Sequence, residues 1–271
     1  IEPNGKEYPA ALITSPEYSM KKLLGNGMKK IFTITKVFRN HEEFGGNHNP
    51  EFSMLEWYMQ GGDYIDCMNE TEELINFIDQ KLQSNSRFKD VLFQKTRVKD
   101  LFKKYTALNL DSAKINNLKE VCDKNGIHFA DNDTESDLFY RIFLDKIEPN
   151  ISGTQFVYDY PKHQASLSKL TDDGLYGQRF ELYVDGLELC NGFTELTDTQ
   201  EQKERFIEES NERKKLNKKV YPIDEALLEL LPSINQHTYG NALGIDRLHM
   251  ILTKRNKIED VMLFNANKIF K

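Results

Sequence analysis

Between Val37 and Tyr58 the chain reads as two extended segments around a polar loop, and that reading constrains the fold more than any other stretch. The first segment ends in Val37-Phe38-Arg39-Asn40-His41-Glu42, the loop holds Gly45 and Gly46, and the second runs His48-Asn49-Pro50-Glu51-Phe52-Ser53-Met54-Leu55-Glu56-Trp57-Tyr58. An antiparallel pair follows, with Arg39 at the loop's start. Side chains alternate across a strand, so Phe52, Met54, Glu56 and Tyr58 share one face. A flat aromatic, a carboxylate and a phenol beside an Arg can stack a purine, hold a phosphate and grip an amine.

The rest of the chain gives strands over 31–38, 155–160 and 178–194, and helices elsewhere. Ser15 with Pro16 at the first helical position opens one helix, and Gly25 is its stop. Asp63 caps an amphipathic helix carrying Ile65, Met68, Ile75, Ile78 and Leu82. Residues 97–147 read as short helices, with Gly126 as a stop and Thr134 as a cap. Asp198 with Glu201 opens a charged helix, and 245–254 is apolar and helical. Strands and helices occur in runs, which implies an α+β fold with a mainly antiparallel sheet flanked by helices. At 271 residues one domain over 1–271 is expected, with a helical insertion at about 84–150.

Val184-Asp185-Gly186-Leu187 reads as a two-residue hairpin turn. That register sets Tyr183 opposite Glu188 and Leu182 opposite Leu189. Glu181 and Glu188 then become diagonal neighbours, roughly 7–8 Å apart at the backbone. Spacing alone leaves two readings, a solvated acidic face or a site for a hard divalent cation shared with phosphates. The net charge of −7 argues against broad sequence-independent nucleic-acid binding. Cys67, Cys122 and Cys190 lack CxxC spacing, and no apolar run reaches a membrane span. A reduced, cytoplasmic chain is expected.

Three ordered segments carry a resemblance: the hairpin above, Phe180-Glu181 with Glu188-Leu189-Cys190-Asn191-Gly192-Phe193-Thr194-Glu195-Leu196, and Gly240-Asn241-Ala242-Leu243-Gly244-Ile245-Asp246-Arg247-Leu248. They resemble motif 2, the metal- and amino-acid-binding strands and motif 3 of class II aminoacyl-tRNA synthetases of the lysine type. The resemblance implies that family's catalytic core. Arg39 and Arg247 take the catalytic roles. Arg39, Glu42, His48, Asn49, Phe52, Glu188, Leu189, Gly244 and Arg247 bind ATP, with Glu43 a rival to Glu42. Glu181 and Glu188 hold Mg²⁺. Ser15, Glu17, Glu56, Tyr58, Asn191, Glu195 and Ala242 bind the amino acid. Three carboxylates in one pocket suit a dicationic substrate.

Ser15-Pro16-Glu17-Tyr18, Trp57 and Ala242 resemble one branch of that family, which joins (R)-β-lysine to elongation factor P. Lysine-specific members generally have Gly where Ala242 stands. No OB-fold segment precedes these motifs here, so no tRNA partner is expected. The motif 1 region, which carries the family's dimer contacts, is absent or truncated, which leaves a homodimer open. The loop also lacks the basic residue usual before His48. The rival readings are a free-standing lysyl-tRNA synthetase-like core, an asparagine-type amide synthetase and a non-catalytic sensor. Glu17 and Glu195 argue against the second, and Arg39, Glu188 and Arg247 against the third.

Overall fold

A computed structural model describes residues 3–7, 10–40, 45–82 and 87–270. Glu42 and Glu43, the two candidates for reading adenine, lie outside the described residues. Seven strands form one sheet in the order β1-β2-β7-β6-β5-β4-β3. These are β1 (Lys30–Phe38), β2 (Glu51–Gln60), β3 (Gln94–Arg97), β4 (Thr154–Pro161), β5 (Tyr176–Val184), β6 (Leu187–Thr194) and β7 (Thr238–Gly244). All neighbours are antiparallel except β3 and β4. The short parallel edge strand β3 falls in the stretch expected to be helical. Its sequence, Gln-Lys-Thr-Arg, has no apolar alternation to announce it.

One sheet face is closed by α2 (Tyr64–Leu82) and α8 (Ile245–Leu252). Met68 and Ile75 of α2 pack with Phe156, Phe180, Leu182, Cys190 and Leu243. Asp63 caps α2, its Oδ1 accepting from Ile65 N at 2.8 Å. Trp57 belongs to this core and donates to Glu70 at 2.8 Å, so it faces away from the site.

Among the described residues the opposite face is covered at its flanks. On one flank sit α3 (Val98–Thr106), α4 (Ile115–Asn125) and α5 (Glu135–Ile142), packed through Phe102 and Phe139 onto Val157, Tyr160 and Tyr183. Gly126 ends α4 at φ 67°, and Thr134 caps α5 by accepting from Asp137 N. On the other flank sit α1 (Glu17–Gly25), α6 (Thr199–Lys215) and α7 (Glu225–Leu230). Their Met20, Leu24, Phe206 and Leu227 pack with Tyr58. Helix α1 begins at Glu17, later than a Ser15 cap with Pro16 in the first turn would give. Ser15 Oγ still accepts from Glu17 N at 3.0 Å. The middle of this face stays open as a cleft. Among the described residues no helix is long and apolar enough to cross a membrane.

Candidate active site

The pairing register lays out the cleft floor. Glu56, Ala242, Asn191 and Glu181 are paired one to the next across β2, β7, β6 and β5. One step along, Tyr58, Gly240, Phe193 and Arg179 form a second row. Directly opposed residues share a face, so both rows look into the cleft.

The hairpin departs from its simple register. Asp185 and Gly186 turn at φ 49° and 80°, and Tyr183 opposes Glu188 as expected. Leu182, however, opposes Cys190 rather than Leu189, because a β-bulge interrupts the ladder. The extra residue changes the parity of β6. Glu188 and Asn191 therefore both face the cleft, while Cys190 turns into the core.

Two adjoining cavities occupy the cleft. The larger, about 330 Å³, is bordered by Arg39, His48, Asn49, Phe52, Glu181, Glu188, Leu189, Gly244 and Arg247. The smaller, about 100 Å³, is bordered by Ser15, Glu17, Glu56, Tyr58, Gly240 and Phe193. Arg39, Met54, Asn191 and Ala242 border both, and Arg39 is the cation among them. A large nucleotide-sized space thus meets a small one at a guanidinium.

In the larger cavity the Arg39 guanidinium stands 5.2 Å from the Phe52 ring centroid. Arg247, in the first turn of α8, donates to Glu188 O at 2.8 Å and to Asn47 O at 3.3 Å, and lies 3.0 Å from His48 Nε2. It ties the β1–β2 loop to the hairpin. Asn49 borders the cavity, but its amide is engaged by backbone, donating to Glu51 O and accepting from Ala266 N.

Glu181 is already neutralised by protein. Its carboxylate accepts from Arg179 at 2.6 Å, from Tyr183 at 2.6 Å and from Tyr160. Glu188 is the more open acid, 3.7 Å from Arg247, and partial burial, then the neighbouring Glu181 charge, push its pKa upward. Among the described residues no group of three His, Cys, Asp or Glu could hold a metal alone. Two acids do suit Mg²⁺, which keeps several waters and takes further oxygens from phosphates.

Arg179 also orients Asn191. Its Nε donates to Asn191 Oδ1 at 3.0 Å, which leaves the amide NH₂ for a carboxylate. Sequence reasoning missed Arg179, although it shares a strand face with Glu181 two residues on.

The smaller cavity is acidic. Glu56 is 1% exposed and accepts from Ser15 Oγ at 2.6 Å and Tyr58 OH at 3.0 Å. Burial raises its pKa to about 7, against the lowering effect of the Ser15 hydrogen bond. Glu195 sits behind the wall, 3% exposed, and burial raises its pKa to about 8. A second residue missed in the sequence explains its partner. Lys21 Nζ lies 2.7 Å from Glu17 and 2.6 Å from Glu195. One ammonium shared by two acids cannot fully offset either, so Glu195 stays high. The i,i+4 spacing of Glu17 and Lys21 on one helix was the available signal.

The sequence model of class II tRNA synthetases (D, K and N) matches residues 2–268. The chain belongs to that family. This synthetase core is 38% identical to the elongation factor P–(R)-β-lysine ligase of Pectobacterium atrosepticum, over 95% of this chain and 78% of that protein. The ligases of the same name from Pseudoalteromonas translucida and Haemophilus influenzae (strain PittGG) are 37% and 40% identical, over 95% and 93% of this chain and 78% and 76% of their own. The synthetase fold, α+β with a mostly antiparallel sheet, is the one expected from the sequence.

Proposed function

We propose that this chain is an ATP-dependent ligase that activates (R)-β-lysine and transfers it to a lysine side chain of elongation factor P. The observation that carries this reading is the small acidic cavity joined to a nucleotide-sized one at Arg39 and Asn191. Glu17 and Glu56 offer oxygens to ammonium groups, and Asn191 offers its NH₂ to a carboxylate. The names of the relatives supply the amino acid and the protein acceptor.

The placement of these residues supports the following chemistry. The β-lysine carboxylate oxygen attacks the α-phosphorus of ATP, the bond to pyrophosphate breaks, and β-lysyl-adenylate forms. Arg39 neutralises charge where the two cavities meet, and Arg247 supports the phosphate end. Phe52 offers a face on which adenine stacks. Glu188, with Glu181, would hold Mg²⁺, which supplies charge neutralisation to the phosphates. The acceptor amine then attacks the acyl carbon, the bond to AMP breaks, and an amide forms with release of a proton. No protein nucleophile is needed; orientation supplies the advantage.

The test is ATP–pyrophosphate exchange across an amino-acid panel, then mass spectrometry of elongation factor P. Exchange should be fastest with (R)-β-lysine, slower with lysine and near background with aspartate. The factor should gain one β-lysyl mass. Fastest exchange with aspartate, or charging of bulk tRNA without protein modification, would overturn the reading.

Two further results are expected. Ala242 lies between Glu56 and Asn191, so its methyl borders the space nearest the substrate carboxylate. An α-amino group meets it before a β-amino group does. Ala242→Gly should raise kcat/KM for lysine about tenfold, within the roughly 1–3 kcal/mol that one methyl commands, and help β-lysine much less. An unchanged ratio of the two kcat/KM values would remove Ala242 from specificity.

The second result concerns pH. Glu56 borders the cavity and holds its proton up to about 7 while the pocket is empty, whereas a substrate ammonium beside it needs it ionised. Amino-acid affinity should therefore be lost as pH falls through this value and gained as it rises. A roughly tenfold gain from pH 6 to 8 is expected, with protons released on binding. Calorimetry in buffers of different ionisation enthalpy measures the release. A flat affinity with no released proton would contradict it.

A further inference from the structure

Among the described residues Lys21 is the most deeply buried cation of the cleft region, 2% exposed, with its ammonium 5.2 Å from the Phe193 ring centroid. A buried ion pair seldom repays its desolvation, and a well-packed neutral side chain often serves stability as well or better. Stability alone gives little reason for Lys21.

The surrounding charges give a better one. Glu17 and Glu56 border the small cavity from α1 and β2, and Glu195 stands behind them just past the end of β6. Glu56 is held by two hydroxyls, not by a cation. Glu17 and Glu195 share Lys21, and Glu195 Oε1 is buried with no hydrogen-bond donor. Lys21 and Glu195 stand behind the wall that Glu17, Glu56, Tyr58 and Gly240 present to the cavity. Lys21 therefore acts through the acids it touches.

We propose that Lys21 is a positioning residue of the amino-acid pocket, a resident ammonium that sets its net charge at two negatives and so matches it to an amino acid carrying two ammonium groups. With a substrate bound and all three carboxylates ionised, they and the one ammonium leave that charge, and a diamino acid closes it. The substrate carboxylate is met separately by Arg39 and Asn191. Without Lys21, Glu17 and Glu195 would face each other uncompensated. A proton shared between them would take the place of Lys21, and Glu17, the one of the two that borders the cavity, would accept an ammonium less well. The assignment rests on the diamino-acid reading above and adds the residue that tunes it.

The experiment compares wild-type protein, Lys21→Met and the double variant Lys21→Met/Glu195→Gln. Pyrophosphate exchange is measured with (R)-β-lysine from pH 6 to 9, alongside melting temperature. The groups facing Lys21 whose protonation is read are Glu17 and Glu195, with Glu56 and Tyr58 next to them. Lys21→Met should raise KM for β-lysine about tenfold or more while kcat changes little, since ground-state binding is what is lost. The acidic limb of kcat/KM should move up by about one pH unit. The double variant removes the cation with one acid and keeps two negative charges. It should return KM and the limb close to wild type.

A lowered melting temperature with KM and the acidic limb unmoved would make Lys21 a fold residue only. If Lys21→Met does not fold, the double variant decides. A folded double variant with KM raised more than about thirtyfold would overturn charge matching. A wild-type protein that activates no diamino acid would overturn the functional reading and this proposal together. A normal wild-type response beside an unmoved Lys21→Met would overturn this proposal alone.

Discussion

Replacing Arg39 with alanine is expected to slow adenylate formation by about 10²–10³-fold, the loss typical of removing one preorganised charge from a transition state. Arg39 follows the last residue of β1, and its backbone N donates to Pro50 O at 2.9 Å, which fixes where the side chain starts. It is the cation common to both cavities. In the proposed reaction the carboxylate and the α-phosphate meet at that junction. The attack brings two negatively charged groups together, so the guanidinium is worth more in the transition state than with either substrate alone. The loss should therefore appear in kcat as well as in kcat/KM. Arg39→Lys should recover only part, because a point charge cannot engage two oxygens in a plane as a fork does. Single-turnover adenylate formation is the measurement. A loss under about fivefold, with unchanged pyrophosphate exchange, would return Arg39 to the surface charges.

Gly240→Ala should raise KM for the amino acid by about 100-fold or more while leaving ATP binding intact. A Cβ at this position would lie under 3.0 Å from Tyr58 Cε1, Tyr58 Cδ1 and Glu195 Oε1. Such an approach forces the ring or the carboxylate to move. Tyr58 is 4% exposed and donates to Glu56, so displacing it also releases one of the two donors on that acid. Glu195 would be pushed from Lys21. Overpacking alone costs about 1–3 kcal/mol of stability. The larger effect falls on the pocket, whose volume is only about 100 Å³. The larger cavity, where ATP is proposed to bind, does not include Gly240, so ATP protection against thermal unfolding should persist. An amino-acid KM within threefold of wild type, from a folded protein, would mean that the cavity beside Gly240 is not the amino-acid site.

Both predictions depend on features that the sequence carried unequally. The two-residue period of a strand placed Phe52, Met54, Glu56 and Tyr58 on one face, and the structure has them there. The Asp-Gly turn, the cap at Asp63, the cap at Thr134 and the stop at Gly126 were equally readable. Each rests on local backbone chemistry that neighbouring residues decide. Glu181 and Glu188 were readable as a pair on one cleft face for the same reason.

The tertiary structure decided what depends on residues distant in the chain. The bulge in β6 is set by the ladder that β6 makes with β5 and β7 as the sheet closes, and no turn signal marks it. It is the bulge that turns Asn191, rather than Cys190, toward the cleft. Strand β3 pairs only because the insertion helices carry it to β4, and its own residues lack a strand pattern. Arg179 and Lys21 read as ordinary cations until their partners arrive. Arg179 gains Asn191 from the next strand, and Lys21 gains Glu195 from across the sheet. Local sequence determined which side chains could face the cleft, because alternation and capping act over a few residues. Only packing determined which charges meet there, because Coulomb interactions and burial depend on distance in space and not along the chain.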